Sequence, residues 1–450
     1  MNSTSSTEAD FKLEELFFSK TDKKGHIQAS NSVFVRVSEF PEEELLYRPH
    51  NVVRHPDMPK TVFKLLWSNL LAERAMAAYV KNKSKSGKYY WVFAMAFPMK
   101  DGFLSIRLKP TSKFFAQIKE LYSQLLLQEQ DGMSLDQGVA WILQKLKDAG
   151  FSSYEDFMMR ALVAELESRD TLMTGEVAPS IKNTAQDRRL SDRYIASTRC
   201  TDASRNGFRI TNQLYGNLEK LTAQTNAISK TCRSVKFVTT NMTISSAKLG
   251  ESGRPLGVVS LNLEKLSSDI SACVGALESA LKVFDSSVLA MHSMLGTSRF
   301  QIEMMHHFIK EAMCSNLGVQ GEQQILQFVK HCSLLNELVT QNFIKVEQSS
   351  TDLDKVSKSL LTTIERLSQV TAGMDVIRIV GKIEVARISD LSDELSSRLA
   401  EIEELTNDFK SFLGVLESEC LWGTTCAIRI THLTKDISER LALMTKIIAV

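Results

Sequence analysis

Pro49-His50-Asn51-Val52-Val53-Arg54-His55-Pro56-Asp57-Met58-Pro59-Lys60 sets Arg, His and Asp among prolines, just ahead of an amphipathic stretch carrying Phe63 and Trp67. Pro56 drives His55 toward extended backbone and Pro59 suits the first turn of a helix. Three polar side chains are thereby held at the mouth of whatever that helix covers. An ordinary turn needs one Asp and one Pro; this density of charge and constraint predicts a binding site. Outward from it, Leu13–Phe18 and His26–Ala29 read as short strands around a turn at Lys23-Lys24-Gly25. Ala77–Asn82, Tyr89–Pro98 and Phe103–Lys109 read as three more, with turns at Ser86-Gly87 and Asp101-Gly102. The expectation for residues 11–110 is an α+β domain, a five-stranded antiparallel sheet with flanking helices, behind a flexible tail at 1–10.

The chain has 450 residues, enough for two to four units, and a net charge of +1. That charge argues against bulk nucleic-acid or anionic-membrane binding. Neither a signal sequence nor an apolar run of 18 residues is present, which predicts a soluble, cytoplasmic protein. The seven cysteines all lie beyond residue 190 without Cys-x-x-Cys spacing, so reduced packing residues are expected. His306-His307 and His331 raise a metal or haem site, but adjacent histidines point to different helix faces, which favours packed or solvated imidazoles.

Seven of the eight prolines precede residue 180, and the remainder of the chain is rich in helix formers. A connector, 111–182, divides into helices at Phe114–Gln128, Leu135–Lys147 and Tyr154–Arg169, with Pro179 at its boundary. It serves either transmission or spacing. Beyond it, heptads run through Leu214, Leu221, Ile228, Val235 and Met242; through Leu263, Leu266, Ile270, Cys273, Leu277, Ala280 and Phe284; through Leu353, Leu360, Leu367 and Met374, with Val356 and Val370; and through Ile402, Leu405, Phe409, Phe412 and Leu416. Breaks near 250, 316–321 and 389 leave four helices, roughly 184–249, 254–315, 322–387 and 391–449. Two hairpins, 183–318 and 319–450, are expected to pair as a four-helix bundle within one chain, each helix on the order of 90–100 Å long.

The first domain resembles the flavin-binding PAS domain of bacterial aerotaxis receptors. The resemblance rests on Asn31–Ser38, the Pro49–Lys60 run, Val80-Lys81-Asn82-Lys83, Tyr90-Trp91-Val92 and Ser105-Ile106-Arg107. It implies FAD between helices and sheet, held by Asn31, Arg54, His55, Asp57, Phe63, Trp67, Asn82 and Tyr90. Trp67 and Phe63 would cover a ring, Arg54 and His55 donate to ring or pyrophosphate oxygens, and Asp57 accept. Asn82 would face the flavin edge. Each has a plainer reading as well: Phe63 and Trp67 as core, Asp57 as a helix cap, His55 as a buried histidine.

Asn241 to Val259 resembles the hairpin tip of methyl-accepting chemotaxis transducers through Asn241, Ile244, Ala247, Gly250, Glu251, Gly253 and Arg254. Ser245, Lys248 and Pro255-Leu256 depart from that pattern. Ile383-Glu384-Val385-Ala386-Arg387, 139 residues after the first tip's isoleucine, repeats its lost element. Asn241, Lys248, Glu251, Arg254, Glu384 and Arg387 are the expected signalling tip. The resemblance implies a chemotaxis histidine kinase and its coupling protein as partners, with binding weakened by the divergent tip. The function expected is a non-enzymatic redox, oxygen or energy sensor. A cofactor-free PAS scaffold that docks partners through the bundle is the alternative.

Overall fold

The computed structural model describes residues 7–173, 185–314, 319–387 and 392–446. It resolves into two compact units, Met1–Thr201 with Gly296–Val339 and Leu441–Val450, and Asp202–Leu295 with Thr340–Arg440.

In the first unit, strands β1 (Phe17–Thr21), β2 (Ile27–Ser30), β3 (Met76–Lys83), β4 (Tyr89–Met99) and β5 (Gly102–Leu108) form one antiparallel sheet in the order β2-β1-β5-β4-β3. The β1–β2 turn is fixed by Asp22, whose carboxylate accepts the N–H groups of Lys24 and His26 at 2.9 Å each. Gly25 closes it at φ +83°, where a side chain would be strained. Between β2 and β3 lie α1 (Ser32–Ser38), α2 (Glu42–Leu45), a 3₁₀ turn at His50–Val53 and α3 (Lys60–Leu71). The sheet fold matches the sequence-based expectation; β1 starts four residues later, since Leu13–Leu16 lead into the strand rather than join it. The expected tail is not loose at residues 7–10: Ala9 donates its N–H to the Tyr89 carbonyl at 2.7 Å, and Phe11 is buried against Phe17.

Strand alternation gives the sheet two different faces. One, with Ser19, Thr21, Asn82, Ala94, Ala96, Ser105 and Arg107, looks toward α3 and a cavity. Of the connector helices α4 (Lys113–Gln130), α5 (Leu135–Asp148) and α6 (Tyr154–Leu172), α5 packs on α3 and the other two cover part of the second face, where Phe115 of α4 stacks on Tyr79 at 5.9 Å. Glu165 of α6 is fully buried there, accepting from Tyr79 Oη and Ser112 Oγ at 2.7 Å each and from the Thr111 and Ser112 N–H groups. Pro179 lies outside the described residues.

The remaining chain forms α7 (Ala185–Lys248), α8 (Arg254–Cys314), α9 (Val319–Val385) and α10 (Ser392–Lys446). In the second unit these pack as a four-helix bundle from one chain. Cys232 meets Ser271 between α7 and α8, and Gly373 abuts Leu266 between α9 and α8. Ser350 bonds Thr431 between α9 and α10, and Asn217 bonds Glu419 between α7 and α10. At the turn end, Ser245 donates to Glu394 at 3.0 Å, and Gly381 sits against both Leu399 and Val259. The first hairpin's turn and the flanks of the second therefore share one end. The Ser389-Asp390 turn and residues 316–318 lie outside the described residues.

The apolar heptads are buried as expected at Leu214, Leu221, Ile228, Val235 and Met242, and at Leu353, Leu360, Leu367 and Met374. Several intervening positions differ. Thr406 and Leu413, not Leu405 and Phe412, complete the α10 seam; Ser357 and Thr371, not Val356 and Val370, complete that of α9; and Ser267 replaces Leu266 in α8. Thr371 and Thr406 lose little by burial because each hydroxyl bonds the carbonyl four residues back, at 2.7 Å.

Candidate functional site: a cavity under the sensor sheet

The cavity holds about 410 Å³, within the roughly 300–1,000 Å³ typical of small-ligand sites. Helix α3 forms one wall with Phe63, Leu66, Trp67 and Leu70; the sheet forms the other, and His50, Asn51 and Arg54 close the rim. The Trp67 ring stands edge-on to Phe103 at 5.4 Å, and a Cβ at Gly25 would approach it to 3.0 Å. Arg54 lies over the Phe63 ring at 4.3 Å and donates to the Met58 carbonyl at 2.8 Å.

Arg107 is the most unusual group. Its side chain is buried, one Nη donates to Ser19 Oγ at 2.8 Å and to His50 Nε2 at 2.7 Å, and Nη1 has no partner. Burial drops its pKa to about 10. His50 is held neutral, its pKa depressed to about 3 by burial and then by the Arg107 charge. Because a guanidinium only donates, His50 Nε2 accepts and the proton resides on Nδ1. A buried cation with an orphaned N–H is costly unless another group with an acceptor atom completes it. Apolar and aromatic walls, an amide at Asn82 and this donor together suit a flat aromatic ligand bearing carbonyl or anionic oxygens.

Four of the eight residues expected at the cofactor line this cavity: Arg54, Phe63, Trp67 and Asn82. The other four do not. Asn31 caps α1, its Oδ1 accepting from the Phe18 and Phe34 N–H groups and its amide donating to the Leu16 carbonyl, so every polar atom of the side chain serves the backbone. His55 is buried beside the cavity wall, its Nδ1 accepting the Asp57 N–H at 3.1 Å. Asp57 faces outward and pairs with Lys81 at 2.6 Å. Nor does Asp57 cap α3: that helix starts after Pro59, and Glu129 from α4 accepts the Lys60 and Thr61 N–H groups at 2.9 and 2.8 Å. Tyr90 stacks on Phe17 at 5.7 Å in the core, its hydroxyl buried.

His50 and Arg107, both lining the cavity, were not singled out by the sequence. His50 belonged to the proline-bracketed run. Arg107 carried the available signal, an arginine set between Ile106 and Leu108 near the end of a strand that is otherwise uncharged.

At the bundle end, Glu251 pairs with Arg254 at 3.0 Å and Glu384 with Arg387 at 2.9 Å, each three residues apart and next to a turn. Lys248 is exposed and Asn241 half-buried. Gly253 is required there, since a Cβ would fall 2.0 Å from the Ser246 carbonyl oxygen. His306 bonds Ser197 Oγ at 2.9 Å, and among the described residues no group of three metal-ligating side chains comes together.

Comparison with known proteins concerns the N-terminal domain. Residues 27–103 match the PAS fold family. The N-terminal domain is a PAS domain. The chain is 41% identical over 112 residues to the aerotaxis receptor of Escherichia coli (strain K12), covering 24% of this chain and 22% of that relative's length. Among solved structures, the blue-light photoreceptor Aureochrome1 LOV domain aligns at 18% identity over 26% of this chain and 91% of its own, with a TM-score of 0.20. A fungal LOV-domain photoreceptor aligns at 14% identity over 22% and 75%, with a TM-score of 0.18. A PAS-fold domain therefore precedes a long helical region, and no described helix is long and apolar enough to cross a membrane.

Proposed function

We propose that the protein is a non-enzymatic redox, oxygen or energy sensor that holds FAD in the PAS cavity and relays its state to the helical bundle. The single observation carrying this reading is the buried Arg107 with an unpartnered Nη1 beside aromatic walls and the Asn82 amide. Trp67 and Phe103 offer faces for a ring system, and Arg54 and Arg107 offer charge-assisted donors for its oxygens. Bound there, FAD supplies a ring whose hydrogen-bond donors and acceptors exchange with its redox state. Asn82 carries both a donor and an acceptor and answers either pattern by reorientation. Replacing a satisfied hydrogen bond by an unsatisfied one is worth roughly 1–3 kcal/mol, enough to shift a two-state population several-fold or more. The relative that shares this domain is by name an aerotaxis receptor, which supports the same stimulus class.

The output we infer is contact between the bundle tip and chemotaxis signalling partners, a histidine kinase and its coupling protein, at reduced affinity because Ser245, Lys248 and Pro255-Leu256 alter the tip. The reading is tested by the visible spectrum of purified protein and by reconstitution with FAD. Near-stoichiometric flavin is expected. A colourless protein that takes up no FAD would overturn it and leave the cofactor-free scaffold.

A further inference from the structure

Strand β1 is gripped from both sides. On the cavity side, Ser19 accepts from Arg107. The preceding residue, Phe18, points to the opposite face, where its ring meets Phe308 of α8 edge-on at 5.0 Å and His331 of α9 at 4.7 Å. Its backbone is pinned by Asn31, which accepts the Phe18 N–H at 3.0 Å and donates its own N–H to the Phe18 carbonyl at 3.2 Å. The next residue, Ser32, donates its hydroxyl to the Glu311 carboxylate. Three turns earlier on α8, Arg299 is buried and paired with Glu303 at 2.9 Å and with Asp170 at the end of α6. Glu303 also faces Arg169, at 3.5 Å, whose guanidinium donates to the Leu13 and Glu14 carbonyls leading into β1.

The segment Arg299–Ala312 of α8 is thus fastened at two points. Ion pairs to Asp170 and Arg169 of α6, the latter bonded to the carbonyls ahead of β1, hold one end, and an aromatic contact with a hydrogen bond to the PAS domain itself holds the other. Such pairs fix register more dependably than they add stability. The helix that follows the connector in sequence, α7, is a different one.

We propose that α8, through Arg299–Ala312, is the element that receives the state of the cavity. Phe18 is the positioning residue, passing a displacement of Ser19 to Phe308. The inference rests on the flavin reading only for the identity of the ligand, so its test is made without one.

Hydrogen exchange by mass spectrometry on the full chain compares wild type, Arg107→Gln, Phe308→Ala and the double variant. Ser19→Ala is the second perturbation should Arg107→Gln fail to fold. The cavity substitution is expected to change exchange of the 299–312 amides by about threefold or more, and to add nothing once Phe308 is alanine. Equal effects in both backgrounds would overturn the proposal, as would a change confined to residues 185–201 of α7. Failure of the protein to bind FAD removes the flavin reading and leaves this cycle readable. Additive effects in a protein that binds FAD remove the relay alone.

Discussion

Two buried arginines in the first unit have opposite circumstances. Arg299 is enclosed by carboxylates, Glu303 at 2.9 Å and Asp170, and although burial works against its charge these partners hold its pKa above the ordinary value. Arg107 has a hydroxyl, a neutral imidazole and one empty N–H, and burial alone pulls its pKa down to about 10. The first is a finished structural joint. The second keeps one N–H that the protein itself does not pair, the feature on which the proposed ligand site rests. The same side chain at the same depth thus separates scaffold from site by whether its hydrogen-bonding capacity is met within the protein.

The largest expected effect breaks that comparison directly. Glu303→Ala takes one carboxylate from Arg299, which keeps Asp170, and the facing carboxylate from buried Arg169, and should cost about 3 kcal/mol in urea unfolding. Arg107→Met removes a charge that the ligand-free fold does not satisfy, so ligand-free stability should fall by under about 1 kcal/mol or rise. FAD uptake, followed by absorbance, should be lost. If Arg107→Met destabilises the ligand-free protein as much as Glu303→Ala does, Arg107 is a joint like Arg299 and the cavity argument fails.

A second contrast lies between Asn82 and Asn31. Asn31→Ala removes the acceptor of two backbone N–H groups and should lower stability by about 1–3 kcal/mol, with FAD affinity of the folded fraction unchanged. Asn82→Ala and Trp67→Ala should weaken FAD binding about tenfold or more, with helicity by circular dichroism retained. Equal loss of FAD affinity in Asn31→Ala would return Asn31 to the ligand site.

These cases mark what was legible in the sequence. The five strands, the connector helices and the four long helices could be read from turn residues and periodicity, because burial on one face imposes a period on the chain. Arg54, Phe63, Trp67 and Asn82 were reached through the resemblance to flavin-binding PAS domains rather than through spacing, and the cavity is lined by these four. Asn31, His55 and Tyr90 share the neighbourhood but point elsewhere, and side-chain direction is settled by tertiary packing that local spacing does not encode. In the bundle, Ser267, Ser357, Thr371 and Thr406 escaped a reading confined to apolar residues. The threonines among them meet their hydroxyl's need within their own helix, and so occupy seam positions at little cost.

Acid separates the regions less sharply. His50 in the cavity has its pKa lowered to about 3, and His292, between Phe208 and Tyr215 in the bundle, to about 4, both by burial first. The unfolded imidazole takes its proton near pH 6.5 and the folded one does not, so stability is full above that pH and falls as pH drops toward the folded values. Between pH 7 and 5 each should contribute a loss of about 1–2 kcal/mol. His292→Gln should flatten its share of the slope in urea titrations at several pH values. His50→Gln should do the same in ligand-free protein. An unchanged slope in both would mean that these imidazoles protonate in place.

The smallest stability effect belongs to the tip. Glu251–Arg254 is a solvent-facing pair and Glu384–Arg387 a partly exposed one, both on short helical spacing, where water screens the attraction and side-chain freedom is lost on pairing. Swapping the charges, as Glu251→Arg with Arg254→Glu, should leave the melting temperature unchanged. A surface pair of this kind has consequences only where another molecule reads the charge pattern, since reversing it changes a partner's encounter and register by more than it changes the fold. Pull-down of a chemotaxis kinase with its coupling protein should therefore be more sensitive to the swap than any unfolding measurement. If the wild-type chain binds that complex and the swap alters neither its binding nor its salt dependence, the partner does not read these charges. If the swap instead lowers the melting temperature by several degrees, the pairs are joints of the hairpin turns, and the tip belongs with Arg299 rather than with Arg107.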